Sequence, residues 1–157
     1  MNKIDKTAIE TFKITCNPQL GEPRSSLDFY QEIATRSAVY PGQGTALGLM
    51  YCSLKLNGEA GELAEHVGKA MRDDDLILQK QGHDDHWKGR VHVDLSKSEL
   101  TPERKALIIK EVGDNLWYLS AICNELGIKL SDAAIGNLTK LSDRQERGVL
   151  RGSGDER

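Results

Sequence analysis

From Thr45 to Arg72 the apolar side chains recur every three or four positions, at Leu49, Cys52, Leu56, Ala60, Leu63, Val67 and Ala70. That is the period of one helix face rather than the alternation of a strand. Ile108, Val112, Leu119, Ile122 and Leu126 repeat it further along the chain, and no convincing alternating strand accompanies them. The punctuation agrees with helices. Ser26 can cap a helix through about Ala38, with Phe29, Ile33 and Ala34 on one side and Pro41-Gly42 to end it. Thr45 can cap the long helix, Thr101-Pro102 starts the next and Gly127 stops it, and Ser131 caps a last helix that runs to about Arg147 and ends at Gly148. With a short amphipathic stretch near residues 3–15, the pattern predicts an all-α bundle of four or five helices.

At 157 residues and 38% apolar content the chain is expected to form a single domain, residues 1–157, with one core. Within it, residues 1–25 read as an N-terminal extension, 73–100 as a polar insertion loop and 148–157 as a Gly-rich tail. The net charge of −3 gives no reason to expect stable nucleic-acid binding. No apolar run approaches the roughly 20 residues of a membrane span, and MNKIDKTAIE lacks the features of a signal peptide. Cys16, Cys52 and Cys123 have no metal-like spacing and fit reduced thiols, so a cytoplasmic location is expected.

One acidic phrase is written twice, as Glu59-Ala60-Gly61-Glu62 and Glu111-Val112-Gly113-Asp114. On a helix Glu59 borders the apolar stripe, with His66 beside it, Glu62 a step further round, Lys69 continuing the border and Glu65 pointing to solvent. Glu111 and Asp114 take the same angular positions on their helix, with Tyr118 one turn beyond Glu111. Antiparallel packing through the stripes would bring four carboxylates to one edge of the seam. Close carboxylates repel one another and are costly to bury charged, and hard divalent cations such as Mg²⁺ or Mn²⁺ remove that difficulty. An isolated pair of such acids is more simply a solvated face; two matching pairs, each with a glycine that weakens its helix by about 1 kcal/mol, point to a site. Gly61 and Gly113 lie away from the stripes, which predicts that these helices are covered on a second side by another subunit.

Di-iron oxygen chemistry would need Glu-x-x-His, which the chain does not contain. The last helix presents Asn137, Lys140, Arg144 and Arg147 on one face beside Ala134, Leu138 and Leu141. Alone this is an ordinary basic surface; beside a carboxylate metal site it becomes a candidate phosphate clamp. Gly152-Ser153-Gly154 could offer backbone N–H groups to phosphate, or simply fray. His83-Asp84-Asp85-His86 carries metal-capable groups without a helical frame to hold them. Tyr30, Tyr40, Trp87, Trp117 and Tyr118 are the aromatics available to a base, Trp117 reading rather as packing or interface.

The paired acids resemble the motif of the MazG-like all-α nucleoside triphosphate pyrophosphohydrolases. The resemblance extends through YQEIATRSAVYP, GLMYCSLKLNGEAGELAEHVGKAMRD, KEVGDNLWYLSAICNELGIKLSDAA and NLTKLSDRQERGVLRGSGDER, most closely to short single-domain phage-type or bacterial members. The polar segment 73–100 sets the two halves of the motif further apart than is usual. The resemblance implies Mg²⁺-dependent cleavage of a (d)NTP between the α- and β-phosphates, releasing (d)NMP and pyrophosphate, by a homodimer or homotetramer. It implies metal binding by Glu59, Glu62, Glu111 and Asp114, and contacts to nucleotide or phosphate from Asn137, Lys140 and Arg144. The chemistry assigns Glu59 or Glu62 to orient or deprotonate the attacking water, and Lys69, Lys140, Arg144 and Arg147 to neutralise the leaving pyrophosphate. Tyr118, on the carboxylate border, could bind substrate or a carboxylate. The rivals are a narrow-specificity dUTP or phosphoribosyl-ATP pyrophosphatase and a non-catalytic nucleotide-binding helical module.

Overall fold

The computed structural model describes residues 26–74 and 99–149. All regular structure among them is helical: α1 (Ser26–Ala34), a 3-10 turn (Thr35–Ser37), α2 (Ala46–Asp73), α3 (Pro102–Glu125) and α4 (Leu130–Glu146). The chain is all-α, as its periodicity predicts. The expected helix at 3–15, the His83–His86 cluster, Trp87 and the tail glycines lie outside the described residues.

Most helix ends follow local sequence rules. Thr45 Oγ1 accepts from Leu47 N–H at 3.2 Å, and Thr101 Oγ1 accepts from Arg104 N–H at 3.1 Å, so both threonines cap as expected. At the other ends of α3 and α4 the chain turns through Gly127 (φ 66°) and Gly148 (φ 72°). The bonds Ile128 N–H to Cys123 O and Gly127 N–H to Asn124 O, repeated as Val149 to Arg144 and Gly148 to Gln145, are the paired bonds of a Schellman motif.

Two expectations need correction. The first helix does not continue to Ala38: it tightens into the 3-10 turn, Ser37 Oγ donates to Ala34 O, and Ala38 is extended. Its most deeply buried residue is Gln31, Ala34 is half-buried, and Phe29 and Ile33 are exposed. Ser131 does not cap α4 either. It lies inside the helix, and its N–H and hydroxyl both donate to the Asp28 carboxylate of α1, at 3.1 and 3.0 Å. Gln31 completes the clasp, donating to Ile128 O at 3.0 Å and accepting from Leu130 N–H at 2.7 Å. The start of α4 is thus satisfied from another helix, which local sequence rules do not foresee.

The chain divides into two compact units, Met1–Ser53 with Trp117–Arg157, and Leu54–Leu116. The first is built on Tyr40, Cys52 and Ala121, with Tyr51, Trp117, Tyr118 and Ile122 packed against them. Tyr40 stacks on Tyr51 with centroids 5.7 Å apart and meets Trp117 edge-on at 6.2 Å. Trp117 Nε1 donates to Ala34 O and Ser37 Oγ, both at 3.0 Å, so Trp117 is a packing residue. Cys52 and Cys123 are buried free thiols whose ionisation burial pushes up.

In Leu54–Leu116 the helix faces are rotated from those counted on apolar residues. Along α2 the covered positions are Leu56, Glu59, Leu63, His66 and Ala70, while Ala60 and Val67 are exposed. On α3, Glu111 is buried and Val112 is 51% exposed. Glu59 and Glu111, expected at the borders of the stripes, lie in the covered lines themselves, whereas Glu62 is exposed. Two links fix the strand sense: Glu59 lies against Glu111 and Asp114, and Arg104 pairs with Asp74 at 2.7 Å, so these parts of α2 and α3 run antiparallel.

Candidate metal centre

Glu59 comes from α2, and Glu111 and Asp114 lie one turn apart on α3, all within the unit Leu54–Leu116. Oxygen atoms from the three carboxylates lie within 4.8 Å of one another. Glu111 is the deepest, with its side chain only 2% exposed, and its Oε2 has no hydrogen-bond partner among the described residues. A buried carboxylate oxygen left without a donor is costly in a folded protein.

Cations of the chain offset part of that charge. Lys110 Nζ stands 3.1 Å from Glu111 Oε1 and 3.5 Å from Asp114 Oδ2, and Lys55 Nζ stands 3.6 Å from Glu59. The hydrogen bond to Glu111 holds the Lys110 ammonium above its ordinary range. His66 Nε2 lies 3.8 Å from Glu111 Oε1. Neither lysine was among the residues the motif suggested, although Lys55 precedes Glu59 and Lys110 precedes Asp114 by four positions, the spacing of a helical ion pair. Three converging carboxylates, one with a buried oxygen still to be satisfied, fit a hard divalent cation, whose preferred ligands are oxygens.

The remaining candidates fall differently. Glu62 is exposed and outside the group of three converging acids. Lys69 pairs with Glu65 at 2.6 Å, and that hydrogen bond holds the Glu65 carboxyl below its ordinary range. In the other unit, Tyr118 meets Trp117 edge-on at 4.8 Å. Asn137 and Lys140 are exposed on α4, and Arg147 pairs with Asp143 at 2.7 Å. Arg144 departs from the basic face expected of it and is buried, 6% exposed.

Residues 51–149, which hold all four motif acids, match the model of the MazG nucleotide pyrophosphohydrolase domain. The chain belongs to the MazG nucleotide pyrophosphohydrolase family. It is also similar to the Gene 37 protein of Mycobacterium phage L5, at 36% identity over 134 residues that cover 83% of this chain and 98% of that protein. No solved structure matches significantly. Membership of the MazG family supports nucleotide pyrophosphohydrolase activity in general, and the acids that converge in space belong to both halves of the duplicated phrase. No helix among the described residues is long and apolar enough to cross a membrane.

Proposed function

We propose that the chain hydrolyses (deoxy)nucleoside triphosphates between the α- and β-phosphates, giving (d)NMP and pyrophosphate, in a reaction that needs Mg²⁺ and accepts Mn²⁺ in its place. The observation that carries this reading is the meeting of Glu59, Glu111 and Asp114, with the buried Oε2 of Glu111 lacking a donor among the described residues. Those three carboxylates would hold the cation, and Glu62, one turn from Glu59 and open to solvent, would join them when substrate arrives. A cation bound there would supply Lewis acidity, withdrawing charge from the triphosphate and lowering the pKa of the attacking water. Glu59 or Glu62 orients that water and accepts its proton. Lys69, Lys140, Arg144 and Arg147 offset the charge of the departing pyrophosphate, and Tyr118 and Asn137 contact the nucleotide.

A homodimer or homotetramer is part of the same proposal. It is supported by apolar side chains left exposed along the two long helices, among them Met50, Leu54, Met71, Ile109 and Leu119. At Gly61 and Gly113, where a second covered side was expected, a Cβ would meet nothing within 4 Å among the described residues, which leaves room for a partner.

The test is pyrophosphate release from all the ordinary (d)NTPs, with Mg²⁺, with Mn²⁺ and with chelator. Activity confined to dUTP, or to phosphoribosyl-ATP added to the panel, would select a narrow-specificity reading. Nucleotide binding without pyrophosphate release would overturn the hydrolase in favour of a binding module.

A further inference from the structure

Glu111 has two oxygens in unlike surroundings. Oε2 is buried and has no hydrogen-bond partner among the described residues, whereas Oε1 faces Lys110 Nζ at 3.1 Å and His66 Nε2 at 3.8 Å. Lys110 is two-thirds exposed, and its flexible ammonium can leave the carboxylate at little cost. His66 cannot leave so readily: its side chain is 20% exposed and lies in the covered line of α2. On the far side of the ring, Nδ1 is buried and has no hydrogen-bond partner among the described residues.

That last observation separates two uses of the ring. A histidine that ligates a cation through Nε2 carries its proton on Nδ1 and ordinarily donates it to a carbonyl or carboxylate. Here such a proton would be a buried donor with no acceptor, and the Nε2 lone pair would face a carboxylate oxygen. With the proton on Nε2, the donor sits on the ring nitrogen that lies 3.8 Å from Glu111 Oε1, and the atom left bare is a lone pair rather than a stranded donor. His66 also stands outside the group of acids whose ligand atoms converge within 4.8 Å.

We infer that His66 is a positioning residue for Glu111: its Nε2–H, closing on Oε1, holds the carboxylate so that Oε2 is presented to a divalent cation. The inference rests on reading the three acids as a metal centre. Residues that orient ligands typically contribute roughly 10- to 100-fold to metal affinity.

Manganese binding to the full chain, followed by EPR of the free ion, tests it. His66→Leu should weaken Mn²⁺ binding about 10- to 100-fold, and His66→Gln, whose amide nitrogen can occupy the place of Nε2, should restore most of the loss. An unchanged dissociation constant in a folded His66→Leu protein overturns the inference. The wild-type chain supplies two readouts that do not depend on a variant folding. Long-range ¹H–¹⁵N spectra of its four histidines should show His66 protonated on Nε2, and protonation on Nδ1 overturns the proposal. Pulsed EPR of bound Mn²⁺ should show no directly coordinated nitrogen, and a strong imidazole coupling would make His66 a ligand instead. Failure of the metal-centre reading looks different: Mn²⁺ would not bind the wild type, or would bind it and Glu111→Gln equally well.

Discussion

The hydroxyl of Tyr40 donates to Oε1 of Glu125 at 2.6 Å, and the other oxygen of that carboxylate accepts from Gly44 N–H at 2.8 Å. A residue before α2 is thereby tied to the last residue of α3. Burial, aided by the bond to Glu125, pushes the Tyr40 phenol far above its ordinary range, so it remains a donor wherever the chain is folded. Hydrogen bonds to charged groups contribute about 1.5–3 kcal/mol, so Tyr40→Phe should lose about that much in urea unfolding at neutral pH. Because the folded pKa is raised, the contribution is complete below about pH 10 and is lost as pH rises beyond it. In an alkaline absorbance titration one of the four tyrosines should therefore ionise only as the protein unfolds, and Tyr40→Phe should abolish that step.

Gly48 sits where the turn before α2 meets Glu125. A Cβ at this position would fall 2.5 Å from Gly42 O and 2.7 Å from Glu125 Oε2. Since one of those neighbours is backbone, Gly48→Ala should destabilise by about 1–3 kcal/mol despite the better helix propensity of alanine. Thermal and urea unfolding would measure it, and a stabilised variant would contradict the close approach.

Arg104 forks onto Asp74, Nε at 2.7 Å and Nη2 at 3.1 Å, and these bonds hold the Asp74 carboxyl below its ordinary range. A depressed folded pKa means stability that is present above the unfolded value, about 3.9, and lost as pH falls through the folded one. Asp74→Asn should therefore be less stable than wild type at pH 7, and the gap should narrow as unfolding is repeated at progressively lower pH below 4. A gap of constant size would exclude the ion pair as its source.

The metal centre sets function against stability. Glu59→Gln, Glu111→Gln and Asp114→Asn should each lower kcat/KM for pyrophosphate release at least about 100-fold, the loss of several kcal/mol of charge stabilisation. Under chelator, however, Glu111→Gln should be no less stable than wild type, because it replaces a buried carboxylate whose Oε2 has no hydrogen-bond partner among the described residues. Saturating Mn²⁺ at about 100 times its dissociation constant should then stabilise the wild type by about 2.7 kcal/mol and leave Glu111→Gln unchanged.

Leu54 is 73% exposed in the single chain, one helical turn from the likewise exposed Met50. If it belongs to a subunit contact, Leu54→Glu should sediment as a lighter species than wild type while keeping its helical circular dichroism. Wild type that already sediments as a monomer would refute the assembly.

The helices and most of their ends were legible because those features are local. A 3.6-residue period, a threonine before a helix and a glycine after one act through neighbours a few positions away, and Thr45, Thr101, Gly127 and Gly148 behave accordingly. The duplicated phrase, Glu59-x-x-Glu62 and Glu111-x-x-Asp114, named four acids, and three of them, Glu59, Glu111 and Asp114, meet. Which line of each helix turns inward was decided only by tertiary packing. Counting apolar residues put Val112 on the covered side and Glu111 at its border, whereas the fold buries Glu111 and leaves Val112 open. A helix with apolar residues on two sides does not itself say which side meets its neighbour. The Asp28 clasp on Ser131 and the approach of His66 to Glu111 have the same origin: each joins residues whose nearness exists only once the chain has folded.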